Sequence, residues 1–173
     1  LVGSEMCIRD RLPSYRRSIK VVNQRAEIIF EDEEGELGDL FEDEMPFDID
    51  ASVIDILPED YGIWFVDSMD HPDRYVGKTV HFKARALKPR GMGSKFFVPG
   101  RTAMTCCADD TTFLGYVCKS AYAPKLTPGE WVEVTAKVGI EKRNEYQGEE
   151  GIVLAAEHVE HWDPLEDEMV YFN

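Results

Sequence analysis

Three of the four cysteines lie in "PGRTAMTCCADDTTFLGYVC", which runs from Pro99 to Cys118. Cys106 and Cys107 are adjacent, Asp109 and Asp110 follow at once, and Cys118 closes the stretch. Thiolates and a carboxylate are the donors that zinc or another soft or borderline ion takes. Adjacent residues on a regular strand face opposite ways, so Cys106 and Cys107 share an ion only if the strand ends there. The turn-rich "ADDTT" is where it would end, because Asp starts turns and helices through its side chain. Cys118, on the next strand, would then be a third sulfur. The spacing is not the usual Cys-x-x-Cys knuckle, and two other readings stay open. One is a Cys106–Cys118 or Cys107–Cys118 disulfide, since a ring between neighbouring cysteines demands unusual backbone geometry. The other is plain packing, free Cys being among the most buried residue types. Arg101 either pairs with a carboxylate of the acidic tract or, as a nearby cation, favours a thiolate or holds an anion.

Other titratable residues offer less. His158 and His161 stand three apart on an expected strand and so face opposite sides, which makes them surface imidazoles and not joint ligands. His81 shares the exposed face of its strand with Lys83 and Arg85. No Ser-His-Asp order, Gly-rich phosphate loop or supported carboxylate pair is present, so no enzyme is expected. A second candidate surface is basic. Arg74 to Arg101 carries eight Lys or Arg and no Asp or Glu. Lys83, Arg85, Lys88, Arg90 and Lys95 with Phe96 and Phe97 supply the charges and rings of a single-strand-binding groove. Against it stands the net charge of -15 over 173 residues, which repels polyanions. These cations are expected to neutralise the acidic N-terminal extension instead.

The elements that must position these residues follow from periodicity. "GKTVHFKARALK" alternates Val80, Phe82, Ala84 and Ala86 against His81, Lys83 and Arg85, a half-buried strand. "KFFVPGRTAMTCC" is a second strand, with a bulge or bend at Pro99-Gly100. A helical turn is expected at Asp109 to Leu114, then a short strand in "GYVCKS". "WVEVTAKVGIEK" points Val132, Val134, Ala136, Val138 and Ile140 inward, and "IVLAAEHVEHW" is the fifth strand. Before them, "LPEDYGIWFVDSMDHP" predicts a helix from Pro58 to about Asp70. Pro58 suits the first helical position, and Tyr61, Trp64, Phe65 and Met69 share a face. "AEIIFED" and "MPFDIDASVIDI" read as strands around an acidic loop. Long, long, short, long, long predicts a mainly β protein: a five-stranded OB-fold-like Greek-key barrel with one N-terminal helix and an acidic strand/loop extension. The divisions are 1–12, a leader outside the fold; 13–57, the extension; and 58–173, helix plus barrel. Leu1–Arg11 resembles translated sequencing-adapter read-through, so Cys7 is set aside. A 43% hydrophobic fraction supports a core without disulfide staples, and no apolar run approaches membrane-spanning length.

"YVGKTVHFKARALK", "FVPGRTAMTCCADD", "LGYVC", "GEWVEVTAKV" and "DEMVYFN" together resemble the soluble C-terminal domain of YcgQ-like proteins, subunits of a two-component permease. The resemblance runs from about Tyr75 to Asn173. Its most specific part is Arg-x-x-Met-x-Cys-Cys-x-x-Asp, here Arg101, Met104, Cys106, Cys107 and Asp110, and Gly115 and Cys118 match downstream. It implies an OB-like domain, attached in many members to membrane helices and acting beside a separate permease. The full-length protein is therefore expected to be membrane-associated, and this chain a fragment or a soluble or lipid-anchored variant. The functional expectation is a non-enzymatic accessory domain of a permease system. Its candidate soft-metal corner is Cys106, Cys107, Asp110 and Cys118, supported by Arg101 and Asp109. The competing expectation is a plain interaction module whose cysteines only pack.

Overall fold

The computed structural model describes residues 18–22, 25–29, 45–104 and 111–171. Cys106, Cys107, Asp109, Asp110, the leader and most of the acidic tract lie outside the described residues. The first elements, β1 (Ser18–Val22) and β2 (Arg25–Ile29), form an antiparallel hairpin that is its own two-stranded sheet. Only β2 matches an expected strand; β1 falls in a stretch too polar and basic to signal one. Of "MPFDIDASVIDI", only Val53–Asp55 is strand (β3). Phe47 nonetheless reaches the core, and Lys78 Nζ donates to the Ile49 carbonyl.

Pro58 opens a 3-10 turn, Pro58–Asp60, that leads into helix α1, Tyr61–Asp70. Pro72 stops it, because the residue before a proline is pushed out of helical geometry; His71 has φ -128° and ψ 62°. α1 buries Tyr61, Trp64 and Phe65, whose rings meet Phe82 and Tyr116 at centroid distances of 4.8–5.9 Å. Tyr61 Oη donates to the Leu114 carbonyl at 3.0 Å, and Ser68 Oγ and Tyr116 Oη lie 2.8 Å apart. The helix is thus fastened to the barrel by polar contacts as well as by ring packing.

The remaining strands are β4 (Thr79–Leu87), β5 (Phe96–Met104), β6 (Thr111–Gly115), β7 (Val117–Lys119), β8 (Trp131–Lys142), β9 (Glu150–His161) and β10 (Met169–Tyr171). β4, β5, β7, β9 and β8 close in that order on β4, with β7–β9 the one parallel pair of the circuit. This is a closed five-stranded barrel with extra strands, and closure removes the exposed edges of the sheet. β3 adds to β4 and β10 to β5, both parallel, and β6 pairs with β5. Thr111–Gly115 is therefore strand and not the expected helical turn, since pairing with β5 outweighs the local turn preference of its flank.

Period-two alternation sorts the side chains into two clusters. Inward lie Val80, Phe82, Ala84, Ala86, Phe97, Ala103, Leu114, Tyr116, Cys118, Val132, Val134, Ala136, Val138 and Leu154. Ile140, expected inward, is 41% exposed because β8 outruns the barrel there. On the outer face of β5, β6, β7 and β9 sits a second cluster: Val98, Phe113, Val117 and Val153, joined by Met92 and Tyr146 from the loops. Tyr146 Oη donates to the Ile152 carbonyl at 2.5 Å and accepts the Val117 N–H at 3.3 Å. Among the described residues no helix is long and apolar enough to cross a membrane.

Candidate functional site

β5 is the strand that organises the candidate site. It runs unbroken through Pro99-Gly100 and changes partners there. Gly100 is flanked by Arg85 of β4 on one edge and Gly115 of β6 on the other. Beyond it, β10 takes over the edge that β4 leaves, pairing Met169–Tyr171 with Thr102–Met104.

Arg101 has the same inward parity as Phe97 and Ala103, so its side chain enters the end of the barrel. The residue is 1% exposed. Nε donates to the Glu168 carbonyl at 3.4 Å and Nη1 to the Pro58 carbonyl at 3.3 Å. Nη2 donates to the carbonyls of Asp167 at 3.2 Å and Met169 at 3.5 Å. The Tyr61 and Trp131 rings stand 5.8 and 5.6 Å from the guanidinium carbon. Burial lowers its pKa from the ordinary arginine value, opposed by Tyr61, Asp167 and Glu168. Among the described residues its hydrogen-bond partners are backbone carbonyls; most of the acidic tract, one of its two expected sources of a partner, lies outside the described residues. One fork therefore joins β5, the turn before α1 and the segment leading into β10. "FVPGRTAM" and "DEMVYFN", far apart in the chain, meet at this guanidinium. The sequence signal for it was parity with Phe97, which marks Arg101 as interior.

Beside the fork is a cleft of about 380 Å³, lined by Pro58, Glu59, Arg101, Leu165, Asp167 and Met169 among others. Its rim is acidic. Asp60, at the start of α1, has its carboxyl pKa raised by burial and by Glu59.

Cys118 lies elsewhere. It pairs with Phe97, at the far end of β5 from Met104. Seven residues at about 3.3 Å each put some 23 Å of strand between them. Cys118 is fully buried in the barrel core, and burial pushes its thiol far above the ordinary cysteine range. That register sets Cys118 well away from Met104; Cys106 and Cys107, the other members of the expected corner and of the expected disulfides, lie outside the described residues. Among the described residues no group of three His, Cys, Asp or Glu could hold a metal ion. A thiol so placed should be inert. In native protein at pH 8, Cys118 is expected to resist Ellman's reagent and to react only on unfolding, because the thiolate is the nucleophile. Cys118→Ser, which buries a hydroxyl among apolar side chains, is expected to cost about 2 kcal/mol of stability in urea melts.

The basic stretch is largely occupied. Phe97 is a core residue and not a stacking platform. Phe96 is half-buried, with the Arg143 guanidinium 4.0 Å from its ring centroid. Lys83 lies 4.2 Å from the Trp162 ring centroid, and Lys88 donates to the Ala123 carbonyl at 2.6 Å. Arg85 donates to the Gly129 carbonyl at 3.3 Å and approaches Glu168 at 4.0 Å. Arg90 is exposed on the 88–95 loop, and Lys95 is exposed just before β5. His81 bridges Asp55 at 2.7 Å and Glu133 at 3.1 Å. His158 and His161 are 52% and 70% exposed, each beside its own glutamate, as surface imidazoles should be.

A helix-capped barrel of OB type, with a tail strapped across one end by a buried arginine, is the class that the fold and cleft define. The chain belongs to the family of the DUF1980 C-terminal domain, whose model matches residues 37–172. Comparison with curated proteins gave no match. Among solved structures, two crystal structures of the S. cerevisiae mitochondrial single-stranded DNA binding protein Rim1 are similar. One has 9% identity over 49% of this chain and 93% of that one, with a TM-score of 0.29. The other has 10% identity over the same shares, with a TM-score of 0.26. Likeness at these scores says nothing about what this chain binds.

Proposed function

We propose that this chain is a non-enzymatic binding domain serving a membrane permease. Its ion site is the corner where β5 gives way to β6, with Cys106, Cys107 and Asp110 as donors and Asp109 beside them. The observation that supports this reading is the β5–β6 register, in which Met104 faces Thr111, so that the ladder brings together the two ends of the stretch that carries Cys106, Cys107, Asp109 and Asp110. Arg101 is a positioning residue here: it fixes the tail strand along the last residues of β5. Two thiolates and a carboxylate suit zinc or another soft ion, with a fourth position left for solvent or cargo. The permease partner rests on the sequence resemblance alone.

The test is metal content after zinc loading and exhaustive dialysis. Stoichiometric zinc is expected in the native chain and in Cys118→Ala, and loss of more than nine-tenths of it in Cys106→Ser and in Cys107→Ser. A metal-free native chain with its fold intact overturns the ion reading and leaves a plain interaction module. Salt-sensitive binding of a single-stranded oligonucleotide would instead favour the basic stretch.

A further inference from the structure

The outer face of β5, β6, β7 and β9 presents an unusual surface for a barrel of this type. In OB-folds, the face of the second and third strands and the loops joining strands one–two and four–five take ligands. Here those strands are β5 and β6–β7, and the loops are 88–95 and 143–149. Instead of a polar groove they build an apolar cluster. Phe113 lies against Gly100, Val98 against Gly115, and Tyr146 against Gly151. Met92, Val98, Val117, Tyr146 and Val153 are each no more than 6% exposed.

The N-terminal hairpin comes close to two elements of this cluster. β1 runs beside β6, and β2 reaches the turn Asn144–Tyr146. Among the described residues neither strand pairs with a strand of the barrel sheet; the hairpin is a separate two-stranded sheet. Both strands also precede residue 37, where the match to the family's domain begins. An isolated two-stranded hairpin is marginal in water, so this one depends on the surface it lies against. We infer that the face formed by β6 and the Asn144–Tyr146 turn is a docking surface for an extended segment, and that its occupant is this chain's own N-terminal hairpin, residues 18–29. The hairpin is a strap: it holds the N-terminal flank against the barrel and keeps the face from other segments. This inference does not rest on the ion site.

Hydrogen exchange of the full chain, read by mass spectrometry, tests it. Protection of amides in 18–29 well beyond free-chain rates is expected, together with protection in 111–115 and 143–147. In a second chain, residues 18–29 are replaced by a Gly/Ser segment of equal length. Exchange in 111–115 and 143–147 is expected to rise at least tenfold there while β8 and β9 stay protected. A synthetic 18–29 peptide should bind this second chain and restore protection, and should not bind the native chain. Free-chain exchange of 18–29 in the native protein overturns the inference, even if the replaced chain does not fold. So does unchanged protection of 111–115 after replacement.

Discussion

Gly100→Ala is expected to lower the unfolding free energy by about 3 kcal/mol or more, at the upper end of what overpacking costs. A methyl built on Gly100 would lie 2.2 Å from the Leu114 carbonyl oxygen and 2.6 and 2.8 Å from two carbons of the Phe113 ring. The oxygen belongs to the backbone of the paired strand, so a rotamer change cannot relieve the contact. Gly115→Ala meets the same obstacle from the other side, with the Pro99 carbonyl oxygen at 2.7 Å and Val98 Cγ1 at 2.8 Å. The two glycines face one another in the ladder; the Phe113 ring fills the space beside Gly100, and Val98 the space beside Gly115. For a domain of this size, a loss of 3 kcal/mol is about 6–12 °C in Tm. Gly148→Ala separates steric from conformational cost. Its φ is +81° and nothing lies within 4 Å of its added methyl, so only left-handed backbone strain remains. About 1 kcal/mol is expected there, of the order of the left-handed penalty for a residue with a Cβ. Urea melts of the three variants decide it. Equal losses at Gly100 and Gly148 would mean that the close approach of β5 and β6 is not what fixes glycine at Gly100.

These glycines show where sequence reasoning reached and where it stopped. Strands β4, β8 and β9 were legible because one face of each is wet, so apolar and polar residues alternate. Helix α1 was legible because Pro58, Pro72 and its aromatic spacing agree. β6 was missed because its residues, Thr111 to Gly115, carry no alternation: Thr112, Phe113 and Leu114 are all buried, on opposite faces. β10 was missed because three residues cannot display a period; a register with β5 defines it, and that is a long-range fact. The strand end expected from "ADDTT" lies outside the described residues, whereas the place of Cys118 depends on which residue of β5 it faces. The pairing with Phe97 is set by closure of the whole barrel, and no local pattern encodes it. Arg101 went the same way. A cation read in isolation asks for a carboxylate, whereas the Pro58 carbonyl and three more that arrive only when the tail docks satisfy its fork.

The largest effect is expected at that fork. Arg101→Ala removes the donors to the Pro58, Asp167, Glu168 and Met169 carbonyls together. It also extends the cleft into the end of the barrel. Carbonyls left unpaired away from water cost about 1–3 kcal/mol each, but release of the tail rehydrates those of Asp167 to Met169, so a total of about 4 kcal/mol is expected. Arg101→Lys should recover little. An ammonium is a point donor on a flexible stem and cannot span carbonyls from two segments as a planar fork does. Hydrogen exchange distinguishes loss of the tail from global unfolding. In Arg101→Lys, amides of Met169–Tyr171 and of Thr102–Met104 are expected to lose protection first, with β8 and β9 retaining theirs. Uniform loss across the barrel would mean that Arg101 supports the core as a whole and not the tail strand. If the corner after Met104 holds an ion, the same variant carries a functional signature. Its zinc affinity should fall about tenfold or more while all three proposed donors remain, as for a residue that orients ligands without being one. Zinc affinity unchanged in a variant whose tail has come free would separate the corner from its arginine and leave Arg101 a purely structural clasp.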